Sequence, residues 1–176
     1  MNTLRHARAA DAAAIAEIYV ETWQTSYAGM VPDHVLIKMS PKCITPSWQR
    51  SIVLGHDIIL VALDETKSVI GFGSAGRNRD LVSPFDCEIY TLYVRPDFQN
   101  LGAGRLLLQG LFKAIYKRGF KNCELWVLAD NPSRFFYAAV GGTLCGEKTE
   151  RLWSANMRQL AYGWENIPAP EILQSR

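Results

Sequence analysis

Long runs of one-sign charge are missing from this chain. Its formal charge is only +2, from 19 Lys and Arg against 17 Asp and Glu, with no basic cluster, so nothing gives it the electrostatic footprint of a nucleic-acid binder. No apolar stretch approaches the roughly 20 residues that span a bilayer. The N-terminal "MNTLRHARAADAAAIAEI" lacks the apolar centre of a secretory leader. The four cysteines, Cys43, Cys87, Cys123 and Cys145, form no C-x-x-C pair, which removes the usual zinc and thioredoxin-like arrangements. His6, His34 and His56 stand apart from one another. The expectation is a protein of the reducing cytoplasm, with no metal, nucleic acid or membrane partner.

What is present suits one folded domain. The chain has 176 residues, 48% hydrophobic and 20% charged. Residues 1–165 read as the domain and 166–176 as a loosely ordered tail. "TLRHA" is a short strand. Asp11 reads as an N-cap before a helix with Ala12, Ile15, Ile18, Tyr19 and Trp23 at helical spacing. "YAGMVP" ends it, Pro32 can open a second helix, and Thr45-Pro46 reads as another helix start. "DIILVAL" and "SVIGFGSAG" form a hairpin across "DETK", and "CEIYTLYV" is a third strand of this group. "RLLLQGLFKAIYKRG" has one apolar helical face. "CELWVLA", the short helix "NPSRFFYAAVGG" and two closing strands in "TLCGEK" and "MRQLAYGW" follow. The expected order is β, α, α, β, β, β, α, β, α, β, β, a mixed sheet of α/β (α+β) class without strict alternation. Cys87 and Cys123, inside strand runs, read as buried apolar residues.

The most informative stretch is "VRPDFQNLGAGRLLLQGL", residues 94–111, with Gly102 and Gly104 where a strand gives way to a helix. A Walker A loop would need a lysine that is absent, and a dinucleotide fingerprint would need a third glycine where Leu107 stands. Glu124, at about the right distance for a ribose contact, falls inside a strand run. A pyrophosphate seat is a third reading, beside a tight turn and nothing more: amides at a helix N-terminus are unsatisfied, the helix dipole adds positive potential, and Arg105 adds a cation.

"YVRPDFQNLGAGRLL" resembles the Q/R-x-x-G-x-G/A motif of the GNAT superfamily of acyl-CoA-dependent N-acyltransferases. "DNPSRFFYAAVGG" is similar to that family's N-x-x-(A/S)-x-x-F-Y-x-x-x-G-(F/G) segment. "DAAAIAEIYVETWQTSYAGMVP" and "LAYGW" resemble the first helix and closing strand of its small bacterial members. The resemblance implies a mixed central sheet of about seven strands flanked by four helices, with the fourth and fifth strands splayed. It implies acetyl-CoA as co-substrate, its pyrophosphate on the amides of Leu101, Gly102, Ala103, Gly104 and Arg105, with Gln99 and Asn100 leading in. It implies that the main chain of Leu92, Tyr93 and Val94 pairs with the pantetheine arm, with an amide near Leu92 facing the oxyanion. Asn131 would hydrogen-bond the pantetheine, although a plain N-cap accounts for it equally well.

For the chemistry, the resemblance implies Tyr137 as general acid to the departing thiolate, against the alternative of aromatic packing. Glu88 sits where a number of members carry a general base, and simple alternation puts Glu88, Tyr90 and Leu92 on one strand face; a solvent-facing edge charge is the alternative. Trp23, Tyr27 and Tyr90 would border the acceptor, with core packing as the competing role for Trp23 and Tyr27, above all for Trp23, which continues the apolar stripe. The implied activity is transfer of an acetyl group to a primary amine by direct attack in a ternary complex, because no Cys–His pair suggests a covalent route. The competing function is a non-catalytic acyl-CoA sensor, which would need neither Glu88 nor Tyr137. The acceptor is a small-molecule amine or a peptide or protein amine, and the protein a monomer or homodimer.

Overall fold

The computed structural model describes residues 2–152 and 155–167. Among the described residues seven strands form one sheet, in the order β1-β2-β3-β4-β5-β7-β6. They are β1 (Thr3–His6), β2 (Ile58–Leu63), β3 (Val69–Arg77), β4 (Cys87–Val94), β5 (Cys123–Leu128), β6 (Thr143–Leu152) and β7 (Ala155–Trp164). All neighbours are antiparallel except β4 and β5. Among the described residues the α-helices are α1 (Ala12–Ser26), α2 (Asp33–Lys38), α3 (Pro41–Leu54), α4 (Ala103–Lys117) and α5 (Ser133–Ala139), one more than the four expected.

Both faces of the sheet are covered, which explains why β2 is apolar without alternation and every one of its residues is buried. On one face, Leu107, Leu108, Leu111, Phe112 and Ile115 of α4 form the main core with Ile58, Leu60, Ile89 and Leu125. On the other, Ile15 and Ile18 of α1 pack with Val61 and Phe72. Gly110 lets α4 settle on β1, since a Cβ there would overlap the Leu4 side chain. Cys87 and Cys123 are buried free thiols, and burial pushes Cys87 up to about 12.

Three local expectations give way to neighbours in space. Asp11 precedes α1 but makes no side-chain cap. Its carboxylate accepts a fork from Arg5 (2.6 and 2.9 Å) and the Arg8 N–H (2.6 Å), which ties β1 to the start of α1. The third helix begins at Pro41, not at Thr45-Pro46, so Pro46 lies inside it. The ring costs one backbone bond there, and the Thr45 hydroxyl donates to the Pro41 carbonyl at 2.8 Å. Ordered chain also passes residue 165: Ile167 is buried and its N–H donates to the Lys121 carbonyl at 2.8 Å. The rest of the expected tail, 168–176, lies outside the described residues.

Candidate active site

The site begins with one extra residue in β4. Thr91 pairs with Ser74 and Ile89 with the next residue of β3, Ala75, so Tyr90 is a bulge. The bulge overturns the expected face of Glu88, Tyr90 and Leu92. Ile89, Leu92 and Val94 all pack toward the α4 core, whereas Tyr93 packs toward α1. Residues 89 and 92 share a face only because the extra residue between them breaks the two-residue period.

Past the bulge, β4 leaves β5. Glu88↔Glu124 is the one parallel pairing between them among the described residues. The ladder to β3 shows what β4 offers to the gap. Arg95 donates to the Ile70 carbonyl at 2.9 Å. By the alternation of an antiparallel ladder, Tyr93 and Thr91 also bond to β3, and Leu92 and Val94 turn N–H and C=O toward the gap. The Val94 carbonyl accepts from Gln99 Nε2 at 3.1 Å.

Two connected spaces occupy the split. A cavity of about 70 Å³ lies between β4 and β5, bordered by Tyr27, Tyr90, Tyr93, Trp126 and Tyr137. A cleft of about 630 Å³ runs from it to the start of α4, bordered by Gln99, Asn100, Gly102, Gly104 and Arg105. Leu92, Val94, Asn131 and Tyr137 border both. Gly102 stands before the first turn of α4 with φ +86°, and Asn100 has φ +60°. These left-handed residues swing the chain so that the first-turn amides of α4 face the cleft without intrahelical acceptors. Of the other two loop residues expected to hold pyrophosphate, Ala103 is buried, and Leu101 is exposed and borders a separate surface hollow.

Tyr137 is 7% exposed, and burial pushes its phenol well above the ordinary value. It therefore holds its proton through neutral pH while facing both spaces. Asn131 is buried, and its Oδ1 accepts the Ser133 N–H at 2.9 Å, so it is a cap as well as a wall of both spaces. Tyr27 is also raised, chiefly by burial, against hydrogen bonds with Tyr93 and Asn131 that lower it.

Glu88 is not brought to either space. It sits at the closed end of the split, and its carboxylate accepts Arg79 Nε (2.9 Å) and Nη2 (2.5 Å). Arg79 in turn lies 4.3 Å over the Tyr90 ring. Burial pushes Tyr90 up to about 12, and its hydroxyl donates to the Arg77 carbonyl at 2.6 Å. The neighbouring Glu124 is buried too, and accepts from Asn78 Nδ2 and Ser83 Oγ, each at 2.7 Å. Both glutamates thus anchor the segment between β3 and β4. Trp23 packs tilted behind Tyr27 at 4.9 Å, stacks on Tyr19 at 5.6 Å and borders neither space.

Several bordering residues were not foreseen: Thr22 and Ser26 on α1, Thr91 on β4, Trp126 on β5 and Ser133 on α5. Thr22 and Ser26 are one helical turn apart, on the turn that also carries Tyr27, a spacing that the sequence displays. The Thr22 hydroxyl is buried with no hydrogen-bond partner among the described residues.

A half-open sheet that presents main-chain amides beside a helix N-terminus is the geometry for an extended, amide-bearing chain that ends in phosphates. The chain belongs to the Acetyltransferase (GNAT) family, whose model matches residues 12–141. As a member it is an acetyl-CoA-dependent N-acetyltransferase. It is 31% identical over 176 residues, all of both chains, to YuaI of Bacillus subtilis (strain 168), an uncharacterized N-acetyltransferase. YncA from Salmonella typhimurium, solved with its cofactor acetyl-CoA, shares the fold at TM-score 0.72 and 21% identity, over 96% of this chain and 95% of that one. The N-acetyltransferase from Staphylococcus aureus Mu50 shares it at TM-score 0.73 and 19% identity, over 96% and 99%. Among the described residues no group of three or more His, Cys, Asp or Glu could hold a metal, and no helix is long and apolar enough to cross a membrane.

Proposed function

We propose that acetyl-CoA lies along the 630 Å³ cleft with its pyrophosphate on the amides of Gly102 to Arg105. Its pantetheine arm extends β4 through Leu92 and Val94, as an added strand would, and its thioester enters the 70 Å³ cavity. A primary amine attacks there directly. The amine nitrogen bonds to the acetyl carbon, the carbonyl oxygen takes negative charge beside the Leu92 N–H, and the C–S bond breaks as Tyr137 protonates the sulfur. The proton released by the amine to cavity water balances the one that Tyr137 delivers.

The observation that carries this reading is Tyr137, a buried, proton-retaining phenol on the wall between the two spaces. Among the described residues no acidic side chain borders the small cavity, so an ammonium would enter without a counter-charge, which is costly. The acceptor amine, from a small molecule or a peptide, therefore attacks in its neutral form. Glu88 acts at one remove: it holds Arg79 on Tyr90, and Tyr90 borders the cavity.

Tyr137→Phe tests the reading. It should keep CoA affinity and lower kcat by about 10²–10⁴-fold, the usual worth of a positioned proton donor. A single-turnover acetyl-transfer rate equal to wild type would reject the role.

A further inference from the structure

At the far edge of the sheet, β6 has β7 on one side and, among the described residues, no strand on the other. Beyond an irregularity between Leu144 and Gly146 its register is regular to Leu152. Which of its main-chain groups are free follows from β7. The Arg158 carbonyl accepts the Ala129 N–H at 2.9 Å, on the side away from β6. The Arg158–Thr149 pair is therefore one of the unbonded pairs of the β6–β7 ladder. Thr149, and with it Glu147 and Arg151, turns N–H and C=O outward.

The side chains along this free edge read Glu147, Lys148, Thr149, Glu150, Arg151. Reversed, the series places a positive charge opposite every negative one. An edge that only refuses partners is served by charge of one sign or by proline; this one alternates. We propose that β6 pairs antiparallel with β6 of a second copy, about a two-fold axis at Thr149. Glu147 then faces Arg151 of the second copy and Lys148 faces its Glu150. The free groups of Glu147, Thr149 and Arg151 supply roughly six inter-chain main-chain bonds.

The charges select this register. An axis at Glu147, Lys148, Glu150 or Arg151 would set each of those residues against its own copy, like charge on like. Parity agrees as well, because residues 147 and 151 lie on one face of the strand and 148 and 150 on the other. Within one chain Glu147 already meets Arg158 at 2.6 Å, and Lys148 meets Glu150 at 3.2 Å. The side chains are half-exposed, so each can accept the cross-strand partner in addition. A paired segment this short falls below the roughly 1,200–2,000 Å² of a permanent interface. The dimer is accordingly reversible and salt-sensitive.

Sedimentation of the full chain from micromolar to millimolar concentration, at low and high salt, tests this. Self-association that weakens with salt is expected. Glu147→Arg alone, or Arg151→Glu alone, should raise the dimer dissociation constant on the order of tenfold, since each change turns two symmetry-related attractions into repulsions. The double variant should restore wild-type association, because exchange of the two charges recreates both pairs. Thr149→Pro should abolish association and leave thermal unfolding nearly unchanged, since the N–H it removes faces away from the ladder. Acetyl transfer by each variant reports that it has folded. A chain that stays monomeric throughout, an association indifferent to these changes, or a double variant no better than the singles would overturn the proposal.

Discussion

Replacing Gly102 by alanine and by aspartate separates two properties of the seat in front of α4. With φ at +86° an L-residue is strained there, while a Cβ at this position meets no atom within 4 Å. The alanine variant therefore pays for conformation alone, about 1–2 kcal/mol. For a chain of this length that lowers Tm by roughly 2–8 °C. Aspartate has nearly the same conformational cost, and tolerates the left-handed region slightly better, but it adds a negative charge beside the amides proposed to hold pyrophosphate. At about 5 Å and an effective dielectric constant of about 20, one like-charge pair costs about 3 kcal/mol before salt screening. Screening at physiological ionic strength reduces this, so the aspartate variant should bind CoA roughly 10–100-fold more weakly than the alanine variant. Calorimetric titration of both with CoA, at two salt concentrations, reads the difference directly, and thermal unfolding reads the shared cost. Equal CoA affinity in the two variants would show that no phosphate approaches Gly102.

Glu88→Gln should leave CoA affinity unchanged and keep the rise of kcat/KM with pH, because the limb belongs to the acceptor amine; its effect should fall on acceptor KM, through Arg79 and Tyr90. Loss of that limb in the variant would make Glu88 the base after all. The Asp11 carboxyl is held below its usual range, chiefly by the hydrogen-bonded Arg5 guanidinium. A depressed folded-state pKa gives stability that is present above the unfolded carboxylate value, about 3.9, and is lost as pH falls through the folded value. Asp11→Asn should therefore be less stable than wild type at neutral pH and should lose less stability between about pH 5 and pH 2; parallel urea-midpoint curves for the two proteins across that range would refute the linkage.

Much of this fold is legible where local chemistry and tertiary context agree. Asn131-Pro132-Ser133 announces a helix start in any setting, and it stays one here although Asn131 also walls the site. The loop at 99–105 is readable because two glycines at a strand–helix junction have few other uses. The site's inner half is less readable. "CEIYTLYV" is apolar or aromatic at nearly every position, so no alternation marks where Tyr90 drops out of the ladder, and the faces of all later residues depend on that one residue. Glu88 looks like a candidate for chemistry because it is a carboxylate in an apolar strand run, and Glu124 is set aside as a ribose contact because it too lies inside a strand. Only the folded chain brings Arg79, Asn78 and Ser83 across to occupy them. Trp23 continues the stripe of α1 as core packing requires, and lies behind Tyr27.

The bulge at Tyr90 also sets fitness against regularity. Bulged strands bend and twist more strongly, and the bend falls where β4 departs from β5. Deleting Tyr90 would leave both flanks in register with β3, since Ile89 and Thr91 already face consecutive residues of that strand. It would produce a straighter β4 and let the parallel ladder zip onward from Glu88↔Glu124, gaining hydrogen bonds as it closed the slot. The most orderly version of this sheet would thus be sterile. On the proposed reading, the residue that interrupts the ladder is the one that holds the slot open for acetyl transfer.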